Sequence, residues 1–114
     1  MKVIDLNTTY TTGTKDIKLT VIIGDAQIGQ SVVLLNDDEL GRGDIDGLLV
    51  GNGPAVKGKK LFVKTLVTDV NSRTNNMSVT YQLTGGKSDQ DFESIGNVDN
   101  EGESMVFRAT FSLI

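Results

Sequence analysis

The residues best equipped for chemistry in this chain are carboxylates. They crowd most densely into residues 36–47, "NDDELGRGDIDG", where five acids and an Arg-Gly-Asp triplet share twelve positions. Acids at this density point to a hard cation, because calcium is held by roughly six to eight oxygen ligands. The helix-loop-helix version of such a site fails on spacing. With Asp44, Asp46 and Gly47 at its third, fifth and sixth positions, Arg42 falls where the first ligand belongs and Gly53 where a closing glutamate is needed. A loop at the tip of a β-sandwich obeys no such spacing. Asp37, Asp44 and Asp46 are therefore candidate calcium ligands, with Asp38 and Glu39 beside them, and the same loop is a candidate carbohydrate site. The plainer reading is that these acids keep a surface turn solvated. As an adhesive tripeptide, Arg42-Gly43-Asp44 would require an exported protein, of which the sequence gives no sign.

Other chemistries are excluded by composition. The chain has no histidine and no cysteine, which rules out a Ser-His-Asp triad, a His-ligated zinc, a thiolate nucleophile and any disulfide framework. Many carboxylate pairs can be drawn, but a glycosidase pair is defined by separation in space, and no spacing along the chain singles one out. No catalytic residue is nominated, and the expectation is a protein that is not an enzyme and carries no cofactor beyond a possible calcium ion. "GPAVKGKK" (53–60) approaches the phosphate-binding loop, yet Lys60 stands where the magnesium-binding hydroxyl belongs. The residues after it, "LFVKTLVTDV", are β-branched and strand-like where a helix must open.

That segment supplies the one basic cluster, Lys57, Lys59, Lys60 and Lys64. It reads either as a contact patch for an acidic partner or as lysines guarding an edge strand. Phe62 is the only aromatic among the lysines and the net charge is −4, so nucleic acid is not an expected partner. Against it stands "KSDQDFESIGNVDNEGE" (87–103), with six acids and one lysine. Such segregation hints at stacking between copies, or only at solvated surface. Asn7 and Asn76 open Asn-X-Ser/Thr triplets, which matter only in a secreted eukaryotic protein. The absence of Trp disfavours a lectin.

The elements that must position these residues are extended. Ile17, Leu19, Val21 and Ile23 alternate with polar neighbours. So do Met77, Val79, Tyr81 and Leu83, and again Met105, Phe107, Ala109, Phe111 and Leu113. "SVVLLN" (31–36) is a short continuous apolar run, expected to be covered on both sides. "KLFVKTLVTDV" (60–70) sets Leu61, Val63 and Val67 on one face and Phe62, Leu66 and Val70 on the other. "NSRTNN" (71–76) reads as a hairpin turn, since Asn tolerates left-handed backbone. The one helical signal is "SDQDFESI" (88–95), where Ser88 as N-cap and Asp91 three residues on would open one or two turns.

A chain of 114 residues with this patterning makes a single domain, residues 1–114. The class is all-β: an antiparallel β-sandwich of about six to eight strands, with a small closed barrel as the alternative. The start "MKVIDLNTTY" is neither signal peptide nor membrane anchor, and no later run would span a bilayer, so the chain as written reads as cytoplasmic unless a leader has been removed. A two-layer sandwich leaves one row of segment 60–70 outside. The expected role is thus a non-catalytic structural or protein-binding module, acidic overall, that self-associates through sheet faces or edges. Phe62, Leu66, Val70, Lys57, Lys59 and Lys60 are the expected contacts, unless the N-terminal "LNTTYTTGT" covers that row.

Overall fold

The computed structural model describes all 114 residues as two β-sheets packed face to face, with no closed barrel. One sheet has five strands in the order β1 (Lys2–Tyr10), β9 (Ser104–Leu113), β6 (Lys60–Thr68), β3 (Ile28–Leu35), β4 (Asp38–Gly43). The other has four, in the order β5 (Leu48–Asn52), β2 (Asp16–Ile23), β7 (Asn76–Thr84), β8 (Gln90–Asn97). That makes nine strands, one more than the upper end of the expected range. Every pairing is antiparallel except β1 with β9, which run parallel from Lys2 opposite Met105 to Tyr10 opposite Leu113. No helix is long and apolar enough to cross a membrane.

Period-two patterning decides which side chains meet between the sheets. Leu61, Val63 and Val67 of β6, the four alternating residues of β7 and the five of β9 are all buried, as are Ile17 and Leu19 of β2. Tyr81 and Phe92 pack against Phe111 with ring centroids 5.7 and 5.1 Å away. Two inward polar residues solve their own burial, since the hydroxyls of Ser31 and Thr65 lie 2.8 Å apart across β3 and β6.

Each end of the sandwich is tied by one side chain. At one end the Tyr10 phenol accepts the Gly86 N–H at 2.9 Å and shares its proton between the carbonyls of Ser88 (2.8 Å) and Leu83 (3.2 Å). A side chain at Gly86 would lie 2.6 Å from the Tyr10 ring, so this close approach requires glycine. At the other end the Gln27 Oε1 accepts the N–H groups of Val70 (2.8 Å) and Asn71 (3.0 Å). Its Nε2 donates to the carbonyls of Asn76 (3.0 Å) and Thr74 (3.3 Å). Gln27 thereby fastens the β2–β3 turn to the β6–β7 connection.

Several local expectations are corrected. Residues 71–76 are not a hairpin turn: β6 and β7 belong to different sheets, the connection crosses between them, and no Asn in it adopts positive φ. Residues 88–95 are not helical. Phe92 pairs with Tyr81 and Ile95 with Ser78 along β8, so cross-strand pairing overrides the capping pattern. The one helix is Gly53–Val56, a single turn after Asn52 with Pro54 in its first turn. The run 31–36 is not covered twice, for Val33 and Leu35 point inward while Val32 and Leu34 are half-exposed on the outer face. The N-terminal piece covers no sheet face. It forms β1, an edge strand of the same sheet. Strand β6 lies third of five, so its lysines guard no edge.

Candidate functional site

The acidic stretch 36–47 is not one loop. Asn36, at φ 51°, makes the tight turn after β3, and Asp38–Gly43 is the edge strand β4. Asp44 and Asp46 then flank the buried Ile45 in the crossing to β5. With six residues of strand between them, Asp37 and Asp44 stand about 20 Å apart. No three His, Cys, Asp or Glu side chains gather as a metal cage. Asp37, Asp44 and Asp46 therefore do not share a site.

The expected contact residues divide in the same way. Phe62 and Leu66 lie on the outer face of the five-stranded sheet, as does Lys60 at its margin. Val70 lies beyond the end of β6, and Lys57 and Lys59 precede its start, separated from Val70 by roughly the 30 Å length of a nine-residue strand. All three lysines are exposed, and none is in an ion pair. The acidic stretch 87–103 is also dispersed: Asp91 and Glu93 sit along β8, whereas Asp99, Glu101 and Glu103 lie in the β8–β9 connection at the far end from the lysines.

Cross-strand register assembles the outer face into rows. One runs Asn7, Thr110, Phe62, Leu34, Glu39, and another runs Val3, Val106, Leu66, Gln30. Between them lies a charged row of Asp5, Arg108, Lys64, Val32 and Arg42. Arg108 holds both oxygens of Asp5, at 2.7 and 2.9 Å, and this hydrogen-bonded pairing keeps the Asp5 carboxyl below the usual carboxylate range. Val3 and Leu66 are 44% and 43% exposed, and Ile28, farther along β3, is 59% exposed. The face thus carries two partly apolar rows flanking a basic row, in which Arg108 is paired to Asp5, Arg42 is paired to Glu39 of the neighbouring row, and Lys64 is in no ion pair.

Sequence reasoning named Phe62 and Leu66 but missed Val3, Val106 and Ile28. Val106 is set beside Leu66 by the β6–β9 register and Val3 is added to the row only by the parallel β1–β9 pairing, neither of which leaves a periodic mark in the sequence. Ile28 sits in "GDAQIGQ", a stretch whose glycines read as turn although β3 already begins there. Comparison with known protein families, characterised proteins and solved structures gives no match.

Proposed function

We propose that this chain is a non-catalytic β-sandwich module that associates with copies of itself through the outer face of the five-stranded sheet. The observation that carries this reading is the row Val3–Val106–Leu66, whose two outer members are exposed and whose centre is half-buried, with Phe62 and Leu34 in a second row beyond the charged one. Five strands spaced about 4.8 Å apart and about 30 Å long offer roughly 700 Å² per copy, close to the half-interface of an ordinary stable complex. The unpaired Lys57, Lys59 and Lys60 lie at one margin, where rim charges affect encounter more than affinity.

Sedimentation velocity across the micromolar range tests the proposal. The expected result is a concentration-dependent dimer that dissociates in Leu66→Asp and equally in Val3→Asp, with melting of both variants unchanged once dissociated. A wild-type monomer throughout that range, or a dimer indifferent to both substitutions, rejects it.

A further inference from the structure

The four outermost strands are blunted along most of their length, but one short stretch of exposed backbone is not. Strand β4 carries Asp38, Glu39 and Arg42 and a register shift opposite Val33 and Leu34; β8 carries Asp91 and Glu93; β1 carries Lys2 and Asp5; β5 is only five residues long. Charge, irregularity and shortness are the devices that discourage strand addition. Strand β4, however, ends too soon. Its last pair is Gly43 with Ser31, so Ile28, Gly29 and Gln30 are paired to β6 on one side and to nothing on the other. The neighbouring sheet repeats the gap, since β5 pairs no farther along β2 than Leu19, and beyond it one backbone bond, Val21 N–H to the Ile45 carbonyl, and the Gly47 N–H on the Thr20 hydroxyl continue it. Beyond these bonds, Ile22 and Ile23 leave the same edge open.

These two gaps meet in a notch of about 680 Å³ floored by Ile23 and Gly29 and rimmed by Ile22, Ile28, Asp44 and Asp46. It continues over Gln30 and Leu66. Ile22 and Ile28 are 44% and 59% exposed. Neither Asp44 nor Asp46 is in an ion pair, no Lys or Arg lines the notch, and the nearby Arg42 is occupied by Glu39 at 2.6 Å.

We propose that this notch docks an extended segment of another protein in which apolar and basic residues alternate. Its backbone pairs with the free edge at residues 28–30, its apolar side chains turn inward onto Ile23 in the floor of the notch, and its cations meet Asp44 and Asp46. This chain does not supply the segment itself. Its own basic-apolar run, Lys60–Lys64, is the central strand β6, and Lys2 is committed to Asp99 at 3.3 Å.

The test is selection of a displayed random heptapeptide library on the immobilised protein, followed by titration of the synthesised winners. It is run in the Val3→Asp background, so that it does not depend on the self-association proposed above. The expected winners alternate apolar residues with Lys or Arg and weaken about tenfold on Asp44→Lys/Asp46→Lys. They bind at intermediate strength to Asp44→Asn/Asp46→Asn and are abolished by N-methylation of their central amides. In titrations followed by amide NMR, the largest shifts fall at Ile28–Gln30. No enrichment, winners without basic residues, or equal affinity for the lysine double variant overturns the proposal. So does loss of wild-type self-association in that double variant, which would make a second copy the occupant.

Discussion

The two tyrosines show how differently one residue type can be buried. Tyr10 satisfies its phenol three ways, whereas the Tyr81 hydroxyl, fully enclosed between the sheets, has no hydrogen-bond partner. Burial raises the pKa of both above the usual phenol value. For Tyr10 the Gly86 N–H offsets part of the rise and the charge of Asp89 adds to it; for Tyr81 the buried Ser94 offsets a little without meeting hydrogen-bond geometry. A raised pKa means that the folded state holds its protons where the unfolded chain has lost them. The tyrosine contribution to stability is therefore intact below about pH 10 and declines as pH rises beyond it. Absorbance titration should show less tyrosinate near pH 10 in the native protein than in the unfolded chain, with full ionisation coupled to alkaline unfolding. Substitution separates the pair. Tyr10→Phe strands the Gly86 N–H and two carbonyls and should cost about 1–3 kcal/mol, while Tyr81→Phe removes an orphan hydroxyl and should be neutral or slightly stabilising in urea melts. Equal costs would contradict this account.

At the scale of elements, the sequence was legible wherever one face of a strand is buried. The alternations in β2, β6, β7 and β9 place Ile17, Leu61, Met77 and Phe107 on the faces they occupy. It was misleading where order comes from a partner strand. Ser88 and Asp91 mimic a helix start, yet Gln90–Asn97 is an edge strand because β7 supplies its hydrogen bonds. Strand β4 was hidden among acids because an edge strand needs little apolar character. The turn-like "NSRTNN" is a crossing because Gln27, 43 residues before Val70, fixes its path. None of the six proposed contact residues announced the register that joins Leu66 to Val3. Gln27 is consequently the sharpest test of the connections. Gln27→Leu keeps the volume but leaves two N–H groups and two carbonyls without their partner, and should cost about 2–4 kcal/mol. Amide exchange should loosen first at Val70 and Asn71. A loss below about 0.5 kcal/mol, the scale of an ordinary surface substitution, would mean that solvent replaces the staple.

The whole molecule is a prism, 44 × 24 × 21 Å with a radius of gyration of 14.2 Å, and its proportions make the mode of self-association measurable. Stacking through the outer sheet face sets two copies side by side about 20 Å apart, whereas stacking of the Lys57–Lys60 end on the Asp99–Glu103 end sets them in line. The paired radius of gyration is then about 18 Å in the first case and about 26 Å in the second. Salt separates the two as well. The face buries the Val3–Val106–Leu66 row, and its central row holds three cations to one acid, with Lys64 in no ion pair, so that the same row of a second copy is repelled. Its affinity should therefore hold or rise with ionic strength, while an end-to-end contact between lysines and acids would be screened within a Debye length of about 8 Å. Small-angle scattering of the concentrated protein should give the compact pair at low and at physiological salt alike, reverting to 14.2 Å in Leu66→Asp. An elongated pair that dissolves with added salt would move the interface from the sheet face to the ends of the sandwich.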